Sequence, residues 1–203
     1  MFDLKHILFC CIMLLAACGG GGGESAGSGI DPRIARIDSY DALNARVLGD
    51  QSIGAIGMSI TPDGALPATG TAEFEGFATI RVENPDTPLV LYGDANVAIG
   101  FDDHSVHGGM DRFFGTNADG AVTDYSGGIV IDGGSVSDGL SLEYGGTLEA
   151  AGDTLTLSGT MNGAFFGDPV SAIAAADYEP EGAYNGASID ATVIIVGEGS
   201  GAP

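Results

Sequence analysis

Ser141–Phe165, SLEYGGTLEAAGDTLTLSGTMNGAF, is the stretch that decides the fold. Leu142, Tyr144, Gly146, Leu148 and Ala150 fall on one side of a period of two, with polar residues between them. After Gly152-Asp153 the alternation resumes with Leu155, Leu157, Gly159, Met161, Gly163 and Phe165. This period marks strands with one buried and one wet face. The Gly-Asp step between them is the chemistry of a tight hairpin turn.

Working outward, the pattern repeats. In Thr71–Val82, Ala72, Phe74, Gly76, Ala78, Ile80 and Val82 share one face, against Thr71, Glu73, Glu75, Thr79 and Arg81. Phe77 is the exception, an aromatic ring on the polar side. Leu89–Phe101 and Ser188–Val196 alternate in the same way, and weaker strands lie near 54–60, 104–115 and 121–132. Turn signals separate the strands: Asp63-Gly64, Asp119-Gly120, Asp132-Gly133-Gly134 and Asp138-Gly139. The chain is therefore expected to be all-β, a small antiparallel, eight-stranded up-and-down barrel filled by its own side chains. Closure removes sticky edges, and Gly at inward positions suits sharply curved strands. No continuous lipid-facing apolar band runs along the strands, which argues against a membrane barrel.

One short helix precedes the barrel. Over residues 38–48, Tyr40, Leu43 and Val47 recur at helical spacing, Asp38 or Ser39 can cap the start, and Gly49 ends it. Packing across a barrel end is favoured over a stalk. The expected organisation is residues 1–17 signal peptide, 18–30 lipidated Gly-rich tether, 31–52 helical segment and 53–199 barrel.

The N-terminus carries the address. Lys5 precedes the apolar run Ile7–Leu15, which is too short to span a bilayer as a mature helix. Leu15-Ala16-Ala17-Cys18 follows and resembles the lipobox of bacterial lipoproteins at all four positions. Cys18 is thus the expected lipidation site. Gly19 follows it rather than the Asp that retains enteric lipoproteins in the inner membrane. This favours the outer membrane, lipid-anchored; the cell surface is expected over the periplasmic face, though not from this residue. Cys10, Cys11 and Cys18 are the three cysteines, so the mature domain is expected to hold no disulfide and no thiol catalyst. Gly19–Gly29, GGGGGESAGSG, has the composition of a flexible linker.

A net charge of −22 with only six Lys and Arg excludes nucleic acid as a partner, since phosphate contacts need basic clusters.

The Gly rhythm carries a family resemblance. Gly70-Thr71-Ala72 leads to Gly76-Phe77-Ala78, and Gly93-Asp94-Ala95-Asn96-Val97 runs into Phe101. Leu157-Ser158-Gly159-Thr160-Met161-Asn162-Gly163-Ala164-Phe165-Phe166-Gly167 resembles the barrel domains of transferrin-binding protein B and its relatives. The resemblance spans roughly residues 69–196. It implies a lipid-tethered eight-stranded barrel at the outer membrane that binds an extracellular protein or an iron- or haem-related ligand. This chain departs from the family at Ala172–Ala176 and Ile189–Val196 and has one barrel only, so no binding residue is carried over.

Candidate chemistry is sparse. Asp102-Asp103-His104-Ser105-Val106-His107 is the most metal-like cluster, but two histidines three apart point to opposite faces of a strand. The Asp-rich turns lack the acidic alternation ending in Glu of a calcium loop. Glu73 and Glu75 sit on a wet face, and glycoside hydrolysis needs one desolvated carboxyl group. Ser158 is not in a nucleophile elbow, and Gly127-Gly128 and Gly133-Gly134 have no following Lys. No catalytic residue, cofactor or metal site is expected. Phe113, Phe114 and Phe166 are either an exposed binding patch or, by preference, core and barrel-end packing. The expected function is non-enzymatic ligand capture. The alternative is a structural or envelope-maintenance lipoprotein with no capture role.

Overall fold

The structure is a computed structural model that describes residues 31–83, 88–116, 122–137 and 139–199. The expected signal peptide, Cys18, the tether, Asp119-Gly120 and Asp138 lie outside the described residues.

The strands are β1 (Thr71–Glu83), β2 (Leu89–Gly100), β3 (Val106–Thr116), β4 (Val122–Asp124), β5 (Ser126–Ser135), β6 (Leu140–Ala150), β7 (Asp153–Phe166), β8 (Ala172–Asp177), β9 (Glu181–Tyr184), β10 (Ala187–Ser188) and β11 (Asp190–Gly199). Each of β1, β2, β3, β5, β6, β7, β8 and β11 pairs antiparallel with the next, and β11 returns to β1, which closes an eight-stranded barrel. β4 continues β5 along β3, broken at Tyr125, whose N–H donates to the Phe113 carbonyl at 2.8 Å. β9 continues β8 along β7 and then turns back into β10.

The expected fold class holds, with one exchange among the strands. Residues 54–60 do not form a barrel strand and bridge to the sheet at Ile60–Phe166. The missing place is filled by β8, Ala172–Asp177. Its sequence AIAAAD shows no alternation because both its faces are covered. Ile173 and Ala175 face the barrel interior, while Ala172 and Ala174 face a second apolar cluster outside.

The interior is one cluster of buried side chains that includes Phe74, Ile80, Leu91, Ile99, Met110, Phe113, Leu142, Leu148, Leu155 and Met161. Glycines let backbones approach here. A Cβ on Gly76 would lie 1.9 Å from the Val196 carbonyl oxygen, so only Gly fits that β1–β11 contact. Asp132-Gly133-Gly134 is no turn. It is a bulge inside β5, where the register shifts between Ile131 and Gly134, and both glycines take positive φ, +129° and +138°. The β6–β7 turn forms where expected, with Ala151 (φ 51°) and Gly152 (φ 95°) both left-handed, as a two-residue primed turn requires.

The helix, α1 (Pro32–Val47), begins six residues before its expected start. Asp31 caps it by accepting the Arg33 N–H at 3.0 Å, and Pro32 occupies the first turn. Ile34 and Ile37 continue the helical spacing of Tyr40, Leu43 and Val47 back through the first two turns. α1 does not cross a barrel end. Tyr40, Leu43 and Val47 pack onto the outer wall against Phe77, Phe114, Phe166, Ala172 and Val196. Phe77, the exception to the alternation of β1, stacks on Tyr40 with ring centroids 4.9 Å apart.

Candidate functional site

The outer wall beneath α1 is where charge and apolar surface converge. It is built from a bulge. Opposite β2, the register of β3 shifts between Tyr92 and Asp94, which inserts one extra residue on β3. Arg112 takes the left-handed φ of 51° there. The shift changes which β3 residues face inward, so Phe113 enters the barrel core and Phe114 goes under the helix. Both rings are 1% exposed. Phe165 and Phe166 divide in the same way between the two clusters. The exposed-patch reading of Phe113, Phe114 and Phe166 is thereby overturned, and the packing reading holds.

Asp94 is the electrostatic node. Its Oδ1 accepts from Arg36 at 2.9 Å and from the Tyr40 hydroxyl at 2.5 Å, and its Oδ2 faces Arg112 at 2.7 Å. Arg36 also lies over the Phe114 ring, 4.8 Å from its centroid, in a cation–π contact. Burial, and then the Asp94 carboxylate, push the Tyr40 phenol up to about 12. Tyr40 therefore stays a protonated donor across ordinary pH. The node is one-sided in access: the Asp94 side chain is 24% exposed and that of Arg112 72%.

Clefts flank the node. A polar one of about 350 Å³ is lined by Glu75, Asp94, Asn96, Asp111 and Arg112. An apolar one of about 240 Å³ lies between the first turns of α1 and the wall, lined by Ile34, Ile37, Val90, Tyr92, Phe114 and Val122. Arg33 closes its rim and is held by Asp31 at 2.6 Å and Asp124 at 3.2 Å. Together these surfaces offer two guanidinium groups, several carboxylates and an aliphatic slot.

No family model matches the chain, and neither does any curated protein or any solved structure.

The residues weighed from sequence fall elsewhere. His104 sits exposed in the β2–β3 loop with φ 57°. His107 on β3 meets Asp132 at 3.0 Å, both well exposed. Among the described residues no three His, Cys, Asp or Glu side chains gather as metal ligands. Glu73, Glu75 and Ser158 are exposed on the outer wall. Sequence reading missed Arg36, Asp94 and Arg112. The signal was there in part: three of six basic residues in a chain of charge −22 are Arg33, Arg36 and Arg46, spaced along one helix.

Proposed function

We propose that this protein is a non-enzymatic, lipid-anchored lipoprotein of the outer membrane that faces outward and captures an extracellular protein ligand. The observation that carries the reading is the pair of clefts on either side of Asp94, joined to Leu15-Ala16-Ala17-Cys18 and its Gly-rich tether. The barrel interior is filled by buried side chains, so a ligand is taken on the outer wall. The resemblance to transferrin-binding protein B makes an iron- or haem-carrying protein the first ligand class to test. Support for a binding role comes also from the exposed, ion-paired Arg112. Its guanidinium is presented at a bulge, where local backbone geometry aims a side chain.

The test is metabolic labelling with palmitate combined with protease shaving of intact cells. Wild type should carry label and be digested while a periplasmic marker survives, and Cys18→Ala should lose the label. A labelled protein that resists shaving would overturn outward capture. An unlabelled protein would overturn the anchor.

A further inference from the structure

The segment joining α1 to β1 carries an apolar tip. Ile53 is 72% exposed, Ile56 95% and Ile60 66%, three of the eight large apolar side chains exposed among the described residues and all within one eight-residue stretch. Its backbone is held firmly. Asp50 and Ala55 exchange N–H···O bonds of 3.0 and 2.9 Å, and the Met58 N–H donates to the Val47 carbonyl at 2.9 Å. Gly57 crosses the end of α1 so closely that a Cβ would lie 2.4 Å from the Leu48 carbonyl carbon. Thr61 ties the segment to β7, its N–H donating to Phe165 at 2.8 Å and its hydroxyl to the Gly167 carbonyl at 2.6 Å. The isoleucines are thus presented outward by a built loop. Exposed apolar groups clustered in this way mark a contact surface.

Charge selects the occupant. From Gln51 to Pro62 no residue is charged, in a chain of net charge −22. A second copy would bring two strongly acidic barrels together. Anionic lipid would be repelled too. The described arginines, Arg33, Arg36, Arg46, Arg81 and Arg112, are each already paired with a carboxylate. A neutral, zwitterionic bilayer surface has neither conflict, and apolar side chains bind such an interface by burial alone. Reach permits it. α1 rises about 24 Å over its 16 residues. Residues 18–31 extend to about 45 Å at most.

We infer that the Ile53–Ile60 tip inserts into the neutral interface of the bilayer that holds the anchor; this rests on the reading of Cys18 as lipidated. Insertion would fix which part of the tethered barrel meets the membrane.

The chain has no Trp, so one introduced Trp reports alone. Full-length lipidated Ile56→Trp and Val130→Trp proteins are reconstituted into phosphatidylcholine vesicles with brominated acyl chains. Val130, 60% exposed on the outer wall, serves as the reference. The expected result is a blue shift and strong quenching at position 56, weak quenching at 130, and no gain on adding phosphatidylglycerol. Protein that floats with the vesicles but is unquenched at position 56, or is quenched equally at both positions, overturns the inference while leaving the anchor intact. So does quenching that requires phosphatidylglycerol, or a blue shift that appears without lipid and grows with protein concentration, which would assign the tip to a second copy. Protein that fails to float overturns the anchor and the inference together.

Discussion

The wall of the barrel has a bare half and a covered half, and they differ in how they are written in the sequence. On β6, and on β7 as far as Asn162, the outer face is mainly Ser, Thr, Glu and Asn, and the alternation with the core is clean. Under α1 the outer face is Phe77, Tyr92, Phe114, Phe166, Ala172, Ala174, Ile194 and Val196. There the period of two fails, because both faces of each strand are dry. Adjacent aromatic pairs, Phe113-Phe114 and Phe165-Phe166, mark the same thing: one ring for each layer. A break in alternation therefore records a second layer and is not noise in the pattern.

If that comparison is right, truncation in either layer is equally costly. Phe113→Ala inside and Phe114→Ala outside should each lower stability by about 3–5 kcal/mol, read as urea midpoints at constant slope. A Phe114 variant that loses less than about 1 kcal/mol would make α1 a loosely attached appendage.

The node comes next in size. Asp94→Ala removes the shared acceptor of Arg36, Tyr40 and Arg112. A loss of about 1–3 kcal/mol is expected, because the buried Tyr40 and the partly buried Arg36 are left without it. On the bare half, Thr160→Ala should stay within about 0.5 kcal/mol. A larger cost there would show that the bare face is packed against something.

The smallest effect is in pH. The fold holds the Tyr40 phenol up from 10.0 to about 12, so the native state keeps a proton that the unfolded chain releases earlier. Its contribution is complete below pH 10 and is lost as pH rises towards 12. Tyr184 is also raised to about 12, and burial together with the Asp177 carboxylate pushes Tyr144 up. Tyr40→Phe should thus flatten the alkaline decline of the urea midpoint only in part. An unchanged slope would place Tyr40 outside the node.

Much of the fold was legible. Five strands announced themselves through alternation, and eight were reached by adding weaker strands near 54–60, 104–115 and 121–132, the first of which is not a barrel strand and gives its place to β8. What could not be read had physical causes. β8 is written AIAAAD, since covered on both sides it has no polar face to show. Residues 54–60 imitate a strand through Ile56, Met58 and Ile60, but two of those side chains point to solvent. The Gly133-Gly134 bulge and the β5 turn signal use the same residues, and only the register with β6 separates them. The site was largely illegible. Asp94 is one acidic residue among 28, and its partners come from α1 and β3, far apart in sequence. The bulge that aims Arg112 is a property of the β2–β3 pairing and of no local motif.

The most direct test of the two-layer account is hydrogen exchange, followed peptide by peptide on the purified protein. Amides of α1 (Pro32–Val47) should be protected as strongly as those of β1 and β2 beneath them, and Phe77→Ser should release α1 while β6 and the bare part of β7, residues 153–162, keep their protection. If α1 in the wild-type protein exchanges orders of magnitude faster than the barrel, the outer cluster is not a second core, and the clefts around Asp94 are not a built site.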